Sequence, residues 1–126
     1  MAQTEIKQKI EQRFIVSFPV QAEWNEEKTG RLVTTEGATE FVGPTGAVVH
    51  LQQLPTVGSR ITISIQAADG QRVEAKAEVL RLVRDAQQPL ASLNVLSGKK
   101  EWRGKVWCQA GIVAATRAPG SEGYED

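Results

Sequence analysis

The chain has 126 residues and a mass of 13.8 kDa, the size of one domain with one core. Its 15 basic and 15 acidic residues cancel, so no bulk field gathers nucleic acid or anionic lipid, and DNA, RNA or membrane-surface binding is not expected. The lone Cys108 and lone His50 exclude an intramolecular disulfide, a thiolate zinc cluster and a His-rich metal site.

The N-terminal segment, 1–13, is polar with alternating charge and carries no secretory pattern, which predicts a cytoplasmic protein without membrane insertion. Ile6, Ile10 and Phe14 recur every four residues after Thr4, a pattern that suits a short amphipathic helix in this arm. Over the whole chain Val, Ile and Thr make up 29 residues, side chains that lose rotamer freedom in helices and fit pleated surfaces.

Phe14, Val16, Phe18, Val20, Ala22 and Trp24 share one face of a first strand, in which Pro19 leaves part of one edge unpaired. Shorter strands are predicted over 31–36 and 46–51, with Gly43-Pro44-Thr45-Gly46 turning between them. Ile61, Ile63 and Ile65 alternate with polar residues, and Asp69-Gly70 then supplies positive φ angles for a hairpin into Val73, Ala75, Ala77 and Val79. After Val79 the apolar phase slips to Leu80 and Leu82, with Arg81 and Arg84 interleaved, which predicts a bulge or a sharp bend that transfers the strand between faces. Two further strands are predicted over 90–96 and 102–108.

The expected architecture is all-β: a six- to seven-stranded antiparallel barrel over 14–108, preceded by the arm 1–13 and followed by an extension, 109–126, that ends in a flexible acidic tail.

Little in the chain suggests catalysis. His50 is the sole candidate base, no motif ties a nucleophile or orienting carboxylate to it, and it reads as a surface or edge strand residue. Cys108, next to Trp107, reads as a small apolar filler. Glu26-Glu27 read as loop charges, and the phosphate-loop and dinucleotide fingerprints are missing. No catalytic residue, metal or resident cofactor is expected, and a hydrolase using His50 ranks last.

Several short motifs recur in a telling order: Arg13-Phe14-Ile15-Val16 leading into Phe18-Pro19-Val20, then Gly46-Ala47-Val48-Val49, then Leu54-Pro55-x-x-Gly58, and late in the chain Trp102-x-Gly104-x-x-Trp107. From Lys9 to Cys108 the sequence thereby resembles the PilZ domain family, six-stranded barrels of which many bind the bacterial messenger cyclic di-GMP. The family binds its ligand through Arg-x-x-x-Arg before the first strand and Asp/Asn-x-Ser-x-x-Gly at a later turn. Arginine's planar fork suits phosphate oxygens or the guanine edge, and the short polar side chains suit base edges.

On that resemblance Arg13 matches the second arginine, whereas the first position holds Lys9, which keeps the charge and loses the fork. Aligning the glycine with Gly46 puts Phe41 at the acidic position and Gly43 at the serine; a one-residue shift brings in Glu40 but leaves Val42 for the serine. Lys9, Arg13, Glu40, Phe41, Gly43 and Gly46 are therefore the candidate ligand residues. Phe41 is expected either to fill the vacated pocket or to anchor a protein partner. Trp24, Trp102 and Trp107 are expected in the core or rim, with the last two available to a partner surface.

At about 1 to 3 kcal/mol per lost base contact, two losses cost roughly thirtyfold to ten-thousandfold in affinity. The resemblance implies a bacterial, non-enzymatic signalling or adaptor module with a protein partner and weak or absent cyclic di-GMP binding. The alternative is a direct cyclic di-GMP receptor using Lys9, Arg13 and the 40–46 loop.

Overall fold

A computed structural model of the chain describes residues 12–122, with side chains described as far as residue 115. Six strands, β1 (Pro19–Asn25), β2 (Leu32–Val42), β3 (Gly46–Leu51), β4 (Arg60–Gln66), β5 (Arg72–Val83) and β6 (Leu90–Ser97), form a closed antiparallel barrel in the order β1-β2-β3-β6-β5-β4. Closure leaves no sheet edge exposed, which suits a chain so rich in β-branched residues.

The interior is the set of residues that alternation selects. Val20, Ala22 and Trp24 of β1 and Ile61, Ile63 and Ile65 of β4 all face the core, and Val20 sits opposite Ile65 in the ladder. Each buried isoleucine contributes about 1.5 to 3 kcal/mol. Pro19 pairs with Ala38 of β2 alone, because the β4 ladder starts at Val20; its missing N–H therefore costs no ladder bond.

Residues 14–18 lie before β1 and pair along the end of β2. Phe14 and Val42 exchange two backbone hydrogen bonds of 2.9 Å. The buried Thr39 hydroxyl donates to the Val16 carbonyl and accepts from the Phe18 N–H at 2.8 Å, tying the incoming chain to the barrel. At the β4–β5 hairpin the left-handed conformation belongs to Gly70 alone (φ 86°). Asp69 stays at negative φ and instead accepts the Gln71 N–H with its carboxylate, so the loop is a longer one with a glycine bulge rather than a two-residue turn.

Two bulges re-aim side chains. Ladder partners step from Val79–Leu93 to Arg81–Ser92, so the phase slip corresponds to a bulge in which Leu80 is the extra residue, and Leu80 is 53% exposed. A second bulge, between Thr39 and Phe41 of β2, makes Glu40 the extra residue, puts Phe41 on the outer surface and returns Val42 to the core.

The predicted last strand, 102–108, is instead helical. One turn, α1 (Lys99–Glu101), leads into a π-helical stretch (Trp102–Trp107) and then α2 (Cys108–Glu122). Trp102, Val106 and Ala110 are fully buried at a spacing of four, so a helical stripe caps the barrel where a strand was expected. Cys108 falls off that stripe and is exposed rather than an apolar filler. The expected flexible tail is helical as far as Glu122. The proposed arm helix, built on Ile6 and Ile10, lies outside the described residues.

Candidate functional site

The β2–β3 turn, the segment entering β1 and the π-helical stretch converge on one side of the barrel. There they bound a cleft of about 380 Å³, the size of a small-ligand site, with outward residues of β6 completing the wall. Arg13, Phe41, Gly43 and Gly46, four of the residues singled out in the sequence, all line it.

Each wall has a local cause. Phe41 reaches the cleft because the β2 bulge turns it outward, and it forms an apolar wall without closing the space; Leu80 follows the buried Val79 and so points outward by alternation. Ser92 and Asn94 alternate with the core residues Ala91, Leu93 and Val95 on β6 and so present polar groups to the outside. Gly46 is glycine for packing reasons: a Cβ there would lie 2.1 Å from the Leu93 carbonyl oxygen, on the strand it pairs with. Gly43 is different. A Cβ would meet nothing closer than the Arg13 Cγ at 3.4 Å, an ordinary contact, so the position has room for a Cβ.

The helical segment fixes both flanks. The Trp102 indole N–H donates to the Gly43 carbonyl at 2.8 Å in a buried hydrogen bond, holding the turn from beneath. One turn further, the Trp107 N–H donates to the Gln12 carbonyl at 2.8 Å, while its ring lies 6.3 Å from that of Phe14. Arg103 rests over the Trp107 ring, its Cζ 5.3 Å from the centroid, and lines the cleft. Arg103 escaped the sequence reading because 102–108 reads as a strand by alternation; the spacing of Trp102, Val106 and Ala110 is the signal that finds it.

Glu40 does not belong to this cleft. As the bulge residue it turns to a smaller depression, where its carboxylate lies 3.4 Å from the His50 Nε2. Ser17 shares that depression, but no hydrogen bond joins its hydroxyl to His50 among the described residues. Lys9 lies outside the described residues. Among those described, no group of three or more His, Cys, Asp or Glu is placed to hold a metal ion, and no helix is long and apolar enough to cross a membrane.

No protein-family model matches the sequence, and no curated protein matches it significantly. Solved structures do match the fold. The Bacillus subtilis inhibitor of motility MotI superposes with a TM-score of 0.61 at 16% identity, over 83% of this chain and 51% of that one. YcgR from Escherichia coli, solved in complex with cyclic di-GMP, gives 0.59 at 14% identity over 91% of this chain and 48% of its own. The chain thus spans about half the length of these two proteins. The PilZ domain of YcgR with cyclic di-GMP gives 0.58 at 13% identity, covering 92% of this chain and 95% of the domain. The six-stranded barrel described above therefore has the PilZ-domain fold.

Proposed function

We propose that the chain is a non-enzymatic, cytoplasmic signalling or adaptor module of the PilZ type, acting through a protein partner and binding cyclic di-GMP weakly or not at all. The observation that carries this reading is the meeting of Arg13, Phe41, Gly43 and Gly46 on one open cleft of a PilZ-type barrel, with an apolar side chain and a bare glycine at the two positions where the family places polar contacts. Arg13 keeps a fork for phosphate or a guanine edge, whereas Phe41 and Gly43 offer no hydrogen-bonding side chain. The alternative, a direct receptor, is favoured by the cleft remaining open beside Phe41.

Calorimetric titration of the full chain with cyclic di-GMP separates the two. The adaptor reading expects binding too weak to saturate at micromolar ligand. Saturable micromolar binding that is lost on Arg13→Ala establishes the receptor reading in its place. Screening against esterase, phosphatase and glycosidase substrates should give no turnover above buffer.

A further inference from the structure

We infer that Arg103 is a second ligand-binding arginine of the cleft, which makes the C-terminal helical segment part of the site and a nucleotide phosphodiester its occupant. This rests on the alternative reading above, in which the cleft takes a nucleotide, and names a residue that the sequence resemblance does not supply.

The charge of the cleft carries the argument. In a chain of zero net charge, the cleft is lined by two arginines and no carboxylate among the described residues. Neither Arg13 nor Arg103 forms an ion pair among those residues, so both guanidinium groups are available to an anion. Two forked cations facing a small cleft match the oxygens of a phosphodiester, which each fork can bind in a bidentate manner. Leu80 supplies apolar surface for the flat face of a base, and Ser92 and Asn94 supply polar groups beside it.

Arg103 is also held in place. It stacks on Trp107 one helical turn away, and Trp107 is itself hydrogen-bonded to the Gln12 carbonyl, the residue before Arg13. The two arginines are thus tied to one indole although 90 positions separate them in sequence. Stacking limits the rotamers Arg103 would lose on binding, and a ligand that engages it also perturbs Trp107.

The test is titration of the full chain with cyclic di-GMP at low ionic strength, followed by calorimetry and tryptophan fluorescence. It is run in the unmodified protein and in a Phe41→Asp, Gly43→Ser background, where the added polar groups raise the affinity. Arg103→Gln should weaken binding by about tenfold or more, as Arg13→Gln does, with Arg103→Lys recovering part of the loss. Arg81→Gln, a charge loss outside the cleft, should leave affinity within about twofold. Ligand should change the fluorescence of the parent and leave that of Trp107→Phe unaffected. If Arg103→Gln binds like its parent while Arg13→Gln loses binding, the role of Arg103 is refuted and the nucleotide reading stands. If no form binds in either background, both are refuted.

Discussion

Replacing Trp102 with phenylalanine tests how the helical cap supports the cleft. The substitution removes the N–H that satisfies the Gly43 carbonyl, at a site where Trp102 is 0% exposed and water cannot substitute without opening the cap. An orphaned buried acceptor costs about 1 to 3 kcal/mol. The smaller ring leaves a void of roughly 40 Å³, worth about 1 kcal/mol at the usual cavity cost. The expected loss is therefore about 2 to 4 kcal/mol, a downward shift of roughly 1 to 2 M in the urea midpoint. Trp107→Phe is the matched control. Its hydrogen bond to Gln12 is exposed, so water replaces the indole and the loss should stay near 0.5 to 1 kcal/mol. Urea denaturation followed by far-ultraviolet dichroism reads both variants. Equal midpoints would refute the claim that Trp102 pins the β2–β3 turn from within the core.

Ile63→Ala should cost about 2 to 5 kcal/mol, because Ile63 is fully buried in the barrel, whereas its half-buried neighbour Thr62→Ala should be mild; denaturation midpoints check the pair. Gly46→Ala should destabilise strongly because its Cβ meets the Leu93 carbonyl, whereas Gly43→Ser should fold normally; thermal melts of the two separate a packing glycine from a spare one. His50→Gln should leave the fold intact and the substrate screen unchanged, since the imidazole's one described polar contact is Glu40; a turnover that disappears in this variant would overturn the non-enzyme reading.

Much of the barrel is legible in sequence because strand burial has a period of two. Phe14 to Trp24 and Ile61 to Ile65 announce their inward faces, and the slip after Val79 marks the position of the Leu80 bulge. The β2 bulge is less legible: Glu40, Phe41 and Val42 contain a change of phase, but the alternation on either side is short and mixed in polarity. The helix over 99–122 was missed for a physical reason. Trp and Val weigh toward strands by propensity and Gly104 weighs against a helix, yet burial of Trp102, Val106 and Ala110 against the barrel end outweighs both. That single misreading hid Arg103 and both indole hydrogen bonds. The candidate positions on the turn come from a resemblance to a known family, and the structure puts Arg13, Phe41, Gly43 and Gly46 along one cleft and Glu40 along another depression.

On the proposed function, side chains and not the shape of the barrel limit cyclic di-GMP binding. The most direct measurement compares, by calorimetry, the unmodified chain with a variant carrying Lys9→Arg, Phe41→Asp and Gly43→Ser, with folding checked by dichroism in the same samples. Gly43 has room for a Cβ, and Arg13 stands beside it. The two restored base contacts predict a gain of roughly thirtyfold to ten-thousandfold in affinity, with any contribution from the added arginine fork coming on top. A folded triple variant that binds no more tightly than the unmodified chain would contradict the account.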